Sequence, residues 1–447
     1  MAVSQWTLPP ELWLMVFRVV NDLRARDTLK SISLTCRDFR CFTLPLLFET
    51  FVLHPLPRKL MPLSGRTDRE IQRLDFYASD RIVPYVCHIT VQPYIKWLAP
   101  RSEMPATVVH DNPQFLISKF VDMLPRFTNA RSLTCDEIDI GLHGLKNLSA
   151  LPCLRSIDLT DCNALDSLST NDSLRPLRLH TFRAAYHTGD ATGPHRWLTL
   201  MDPSSLQVLR VHIARNSSAL SSGGFFRDMP SAGLFPSLHT LNLSGGSDVI
   251  RLIVQILSNT PALRRLTLAL QPLMRGEEYL LNASEPPARH LVPYLEVYDG
   301  SHQLLPHILR RTRSSMESPS SSTYLRRLNL HPRLDGDGSL HALVNTLRSL
   351  CPTRLRHLTH FHASLTWVDC NALENLCVLL PELRELRITP TLSSGRFTSN
   401  VGCGLFFSSP NADLHPLTVY PDLLGRSVLA PVPIQSGVAV AGMDSRF

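Results

Sequence analysis

Pro152-Cys153-Leu154-Arg155-Ser156-Ile157-Asp158-Leu159 sets apolar residues at 154, 157 and 159 with polar side chains between them, the spacing L-x-x-L-x-L. Positions 157 and 159 alternate as in a strand with one buried face, and 154 adds an apolar anchor just before it. The same spacing returns after Pro236, Pro261 and Pro381, and in looser form from Ala130, Leu179, Leu206, Leu295, Leu325 and Leu355. The first apolar positions, 130, 154, 179, 206, 238, 263, 295, 325, 355 and 383, recur at about 28 residues, a leucine-rich-repeat period. One such unit cannot bury its own apolar face, so the recurrence predicts stacking into a solenoid.

Helical stretches precede several units, at 115–124, 249–257, 340–350 and 372–380. Strand plus helix per unit predicts an α/β fold: a degenerate leucine-rich-repeat solenoid over 115–390 with parallel strands on a concave wall. Only Asp161-Cys162-Asn163 resembles the asparagine or cysteine turn that follows such a strand. Residues 52–114 read as a linker and amino-terminal cap, with a strand-like piece at 82–91 and a proline-rich connection from Pro93 to Pro113. Insertions fall at 216–235, 274–290 and 313–324, the last containing the low-complexity run 314–322. From Thr391 to Phe447 both periods are lost, which predicts an irregular or disordered tail.

The 447 residues are 44% hydrophobic and 19% charged, enough to build a core and against wholesale disorder. The apolar runs at 12–20 and 428–440 are short or broken, so no membrane span is expected. No basic segment followed by an apolar one opens the chain, and an intracellular home, cytoplasmic or nuclear, is expected. Ten cysteines show no C-x-x-C and no even clustering, which favours reduced core thiols over disulfides or zinc. The net charge is +7, yet the basic residues look scattered in sequence, with one dense cluster at Arg310, Arg311 and Arg313. Only five of the 45 basic residues are lysines, and none follows Lys146.

At the amino terminus, residues 8–51 read LPPELWLMVFRVVNDLRARDTLKSISLTCRDFRCFTLPLLFETF. Pro10 and Glu11 suit a helix start, the one by its fixed φ and the other by its charge near the positive dipole end. Leu12, Met15, Val16 and Val19 recur at helical spacing, and Trp13, Leu14 and Phe17 form a second apolar face. A second helix is expected with Thr28 as cap and Leu29, Ile32, Ser33, Cys36 and Phe39 on one face. The unit reads as a helical hairpin with surplus apolar surface, and such a surface needs a partner.

This stretch resembles the F-box, through Leu8-Pro9-Pro10-Glu11-Leu12, Val16-Phe17, Asp27-Thr28-Leu29 and Thr35-Cys36-Arg37-Asp38-Phe39. Two departures stand out: Thr35 replaces an apolar residue, and Thr28 separates Asp27 from Leu29. With the repeats, the chain resembles F-box proteins carrying irregular leucine-rich repeats, a family expanded in mushroom-forming fungi. The resemblance implies an F-box over 5–51 that docks the small adaptor of a cullin-RING, SCF-type ubiquitin ligase, and the cullin through it. It places the adaptor contacts at Leu8, Pro9, Leu12, Val16, Phe17, Leu29, Cys36 and Phe39.

Motifs of catalysis are missing from the sequence: there is no Walker loop, G-x-G-x-x-G, H-E-x-x-H or G-x-S-x-G. On a strand, His360 and His362 would share a face while His357 points away, so polar surface histidines are the expected reading over a metal site. Asp335-Gly336-Asp337-Gly338 lacks the spacing of a calcium loop and reads as a turn. No cofactor is expected. Recognition of an unknown protein client would fall to the strand positions between the leucines: Arg210, His212, Asn242, Arg265, Arg327, Asn329, Glu385 and Arg387. The arginines among them favour an acidic or phosphorylated client, and nucleic acid is the less expected partner. The expectation is therefore a non-catalytic substrate receptor of a ubiquitin ligase. The competing reading is a leucine-rich interaction scaffold whose helical unit packs internally and recruits no ligase.

Overall fold

The computed structural model describes residues 8–55, 66–92, 113–162, 175–187, 197–198, 200–213, 234–245, 253, 256–270, 292–301, 304–309, 325–331, 340–350, 355–365 and 370–390. The sequence readings at 216–233, 274–290, 313–324, 335–338 and 391–447 lie outside them, as does most of the stretch 93–113.

Three helices open the chain, α1 (Pro10–Asp22), α2 (Arg26–Ser33) and α3 (Arg37–Phe48). As its sequence predicts, α1 starts at Pro10, with Glu11 in the first turn. The expected hairpin is a three-helix unit instead, because the second helix stops at Ser33 and Cys36 begins a third. Cys36 has extended backbone, and its Sγ accepts the amide of Phe39 at 3.4 Å, so it acts as a helix cap. The sequence reading gave that capping role to Thr28, which lies inside α2, while the residue preceding α2 is Ala25. Phe17, Leu29 and Leu47 form the core of this unit, with Trp13, Phe39 and Phe48 packed around them.

Twelve parallel strands follow in strict sequence order: β1 (Thr50–Leu53), β2 (His88–Val91), β3 (Ser132–Asp136), β4 (Ser156–Thr160), β5 (Thr181–Tyr186), β6 (Val208–Ile213), β7 (Thr240–Gly245), β8 (Arg265–Leu270), β9 (Val297–Ser301), β10 (Arg327–His331), β11 (His360–Leu365) and β12 (Glu385–Pro390). Between them lie α4 (Arg66–Tyr77), α5 (Pro113–Met123), α6 (Leu142–Ser149), α7 (Leu305–Leu309), α8 (Leu340–Ser349) and α9 (Cys370–Leu379). Leu116, Phe120, Leu145, Leu343, Leu347 and Leu376 of these helices share one core with the strand leucines, so helices cover one face and the other is open. Sequential parallel order with one helix-covered face is the architecture of a solenoid.

Two strands precede the ten units expected. Phe48-x-x-Phe51-x-Leu53 and Val86-x-x-Ile89-x-Val91 carry the same spacing with aromatic and β-branched residues, which a search for leucine passes over. Residues 50–53 and 88–91 thus belong to the sheet, and 83–85 form a 3-10 turn where a strand was expected. A second correction concerns the ninth expected unit. Its anchor is Leu358, not Leu355, because Leu358-x-x-Phe361-x-Ala363 is the segment whose strand pairs with β10 and β12. Leu355 and Leu358 imitate the first half of the repeat, and the true copy hides behind Phe and Ala.

The units are joined by one repeated device. The backbone carbonyl just after each anchor accepts two amides from the next unit: Arg155 and Ser156 donate to Arg131 O, and His180 and Thr181 to Arg155 O. This continues without a break from Glu49 O to Glu385 N, at 2.7 to 3.2 Å. At Cys162, buried and 3.2 Å from Thr160 O, Sγ also accepts the Ile138 amide at 3.4 Å. That is the role expected of the turn residue at this place. Burial pushes its thiol pKa up to about 12, and that of Cys135 well above the ordinary range. Of the seven cysteines whose side chains are described, only these two are core thiols. Cys36 and Cys41 are exposed.

In β9 the leucine positions hold Tyr298 and Gly300. The Tyr298 hydroxyl donates to Ser301 O at 2.8 Å and lies where a Cβ on residue 300 would come within 2.7 Å of it. Gly300 therefore makes room for a ring where most other units fit two branched side chains. Gly300→Ala should destabilise the protein by roughly 1–3 kcal/mol through overpacking. Adding Tyr298→Leu, which restores the common unit, should recover part of that loss in urea titrations.

Candidate functional site

Two surfaces stand out from this scaffold. The first is on α1, which has an apolar residue on nearly every side. Trp13, Phe17 and Val20 face inward, where Trp13 stacks on Phe17 at 5.7 Å between ring centroids and Phe39 meets Trp13 at 4.7 Å. The opposite side carries Leu12, Met15, Val16, Val19 and Leu23, with Leu8 just ahead of the helix, all exposed: Leu12 and Val16 are 43% exposed, Val19 57% and Met15 61%. The i, i+4 neighbours 12–16 and 15–19–23 lie side by side on the helix and its last turn, so these residues form one stripe.

Of the residues that the sequence assigned to adaptor contact, Leu8, Pro9, Leu12, Val16 and Cys36 are exposed. Phe17 and Leu29 are not: they are 1% and 0% exposed, at the centre of the three-helix core. Phe39 is half-buried against Trp13 and Phe17. Phe17, Leu29 and Phe39 hold the stripe in place from behind. Met15, Val19 and Leu23 were missing from the assignment, although their four-residue spacing beside Leu12 and Val16 was the available signal.

The second surface is the open face of the sheet. Register places its side chains in rows across the strands. One row runs Ser156, Thr181, Val208, Thr240, Arg265, Val297, Arg327, His360, Glu385, and the next Asp158, Arg183, Arg210, Asn242, Thr267, Asp299, Asn329, His362, Arg387. His212 and His331 lie one further step along β6 and β10. All eight residues expected to contact a client, Arg210, His212, Asn242, Arg265, Arg327, Asn329, Glu385 and Arg387, are on this face. Arg183, Asp299 and His362 join them. Asp299 was missed because β9 departs from the leucine pattern.

Charge is ordered along this face. Strands β1 to β4 present Asp136 and Asp158 but no arginine or lysine, whereas β5 to β12 present Arg183, Arg210, Arg265, Arg327 and Arg387 against Asp299 and Glu385. The acids are matched: Arg183 to Asp158 at 3.7 Å, His331 to Asp299 at 2.7 Å, and Glu385 to both Arg387 and His360. Arg210, Arg265 and Arg327 have no ion pair among the described residues. His212 is 2.7 Å from the Ser244 hydroxyl, and desolvation with nearby His187 lowers its pKa. Desolvation also lowers His362, helped by Arg387.

His360 and His362 share the open face, as the strand reading expects, and His357 lies in the preceding turn, 2.9 Å from Glu382 Oε2. Among the described residues no three His, Cys, Asp or Glu side chains converge as a metal site requires. Nor is any described helix long and apolar enough to cross a membrane.

The hydrogen bond to Asp299 raises the His331 pKa above its ordinary value near 6.5. A raised folded value means that this pairing contributes fully below about pH 6.5 and is lost as the pH climbs through the folded pKa. Asp299→Asn should therefore cost more stability at pH 5.5 than at pH 8, and by NMR it should bring the His331 titration down. Equal cost at both pH values would remove His331 as the partner.

No family model matches the sequence, and no curated protein matches it. Among solved structures, a complex described as TLR13 with ssRNA13 is similar over 77% of this chain and 40% of that chain, at 15% identity and a TM-score of 0.32. The chain thus spans less than half the length of that protein.

Proposed function

We propose that the protein is a non-catalytic substrate receptor of a cullin-RING ubiquitin ligase, acting in the cytoplasm or nucleus. In this reading the three-helix unit docks the ligase adaptor, the adaptor links it to the cullin, and the open face of the repeat array holds a protein client. The observation that carries it is the α1 stripe. The helical unit completes its own core with Phe17, Leu29 and Leu47 and still leaves Leu8, Leu12, Met15, Val16 and Val19 exposed beside the F-box-like opening. Apolar side chains in such a row, left over after a core has closed, belong at a protein interface. A scaffold that used this unit for internal packing would bury that row.

Adaptor capture tests it. The full chain should co-purify with the adaptor, and Leu12→Asp with Val16→Asp should abolish capture while circular dichroism and the melting midpoint stay near wild type. Phe17→Ala should behave differently, costing about 3–5 kcal/mol because it empties a core position. Folded wild-type protein that captures no adaptor would leave the scaffold reading in its place.

The scarcity of lysine fits the same role. With none after Lys146, the array offers a recruited conjugating enzyme few acceptor amines beside the client. Replacing Arg155, Arg348 and Arg356 by lysine should shorten the cellular half-life in a proteasome-dependent way. An unchanged half-life would separate the lysine count from the ligase role.

A further inference from the structure

Arginines that look scattered in the sequence fall into register in the fold. Each ladder carbonyl belongs to a residue at the entry edge of the sheet, and the edge row reads Arg131, Arg155, His180, Gln207, His239, Arg264, Glu296, Arg326, Thr359, Arg384. At two places the next residue, which turns onto the open face, is also arginine. Leu263-Arg264-Arg265-Leu266 and Leu325-Arg326-Arg327-Leu328 are the same tetrad in β8 and β10. Between them stands β9, whose Val297 pairs with Arg265 on one side and Arg327 on the other.

Parallel strands lie about 4.8 Å apart, so Arg265 and Arg327 flank an apolar step at about 10 Å backbone separation. Arg264 is engaged, with Glu296 at 3.5 Å. Arg265, Arg326 and Arg327 are exposed and have no ion pair among the described residues. With Glu296 paired to Arg264 and Asp299 to His331, the remaining arginines leave a local excess of positive charge on a rigid sheet, and an anionic partner relieves that. Same-side residues of an extended peptide recur at about 6.8 Å, and flexible guanidinium forks bridge that spacing to the strand spacing.

We propose that the paired arginine tetrads of β8 and β10, with Val297 between them, form a docking site for an acidic segment of a partner protein. The partner is a protein, not a nucleic acid, for two reasons on this surface. The described open-face positions carry no Phe, Tyr or Trp on which bases could stack. Asp299, Glu296 and Glu385 stand among the arginines, where they would repel a continuous phosphate chain but leave room for carboxylates spaced by uncharged residues. The site rests on the reading of the array as a protein-binding face and is independent of the adaptor.

The test uses the full chain and a fluorescein-labelled 14-residue peptide of alternating glutamate and serine, followed by anisotropy, with a 15-nucleotide single-stranded oligouridine as the second probe. The test variant replaces Arg264, Arg265, Arg326 and Arg327 by threonine, the residue that Thr181, Thr240 and Thr359 supply at equivalent places in other units. The control carries Arg69→Thr and Arg81→Thr, both exposed and away from the sheet edge. The wild type and the control should bind the peptide within twofold of each other, more weakly as salt rises, and the tetrad variant should lose at least tenfold. Equal peptide binding by the tetrad variant, binding of the oligouridine but not the peptide, or binding of neither overturns the proposal. Peptide binding that survives the Leu12→Asp, Val16→Asp changes supports it even if no adaptor is captured, so this site and the ligase role fail separately.

Discussion

A carbonyl oxygen that accepts two amides from the following unit is what the rest of the molecule depends on. The arrangement recurs at Glu49, Cys87, Arg131 and every later unit through Thr359. Because the bond is made by backbone, it tolerates any side chain at that position, and the edge row accordingly holds Cys, Arg, His, Gln, Glu and Thr. Sequence is constrained instead at the anchor and the two inward positions after it, where burial is nearly complete. The fold fixes spacing and leaves the edge and the open face free to carry chemistry, which is where the arginines and histidines gather.

The helical unit is tied to this sheet by aromatic contacts. Phe48, at the end of α3, packs against both the three-helix core and the core of the repeats. It meets Tyr77 at 5.7 Å, and Tyr77 meets Phe51 of the first strand at 4.7 Å. Arg26 adds a polar tie within the unit, donating to Leu47 O at 2.6 Å. The α1 stripe is thus mounted on the end of a rigid array, and a partner held there would stand in a defined direction from the open face.

Much of this was legible in the residues. The recurrence of L-x-x-L-x-L located ten strands, nine of them with the right anchor, since leucine at that spacing has little use outside a stacked unit. It failed where chemistry other than leucine filled the same volume: Phe51 and Leu53, Ile89 and Val91, and Phe361 and Ala363. The α1 helix was readable from Pro10 and Glu11, but which of its two apolar faces turns inward was not. That is decided by Phe39 and Leu47, which reach it from a helix whose start depends on a cysteine cap. The charge alignment was hidden for a different reason. From Arg131 onward, residues 24 to 33 apart become neighbours only when the register is known, so Arg264 and Arg326 read as scattered until β9 stands between them.

Hydrogen–deuterium exchange resolved to peptides tests most directly whether the chain is one continuous sheet from its first strand. Amides in 87–91 should exchange slowly, with protection comparable to that of 155–160 and 208–213, because Cys87 and His88 donate to Glu49 O in the same two-amide ladder. Rapid exchange of 87–91 beside protected later strands would contradict the account. It would detach the helical unit and its exposed stripe from the repeat array.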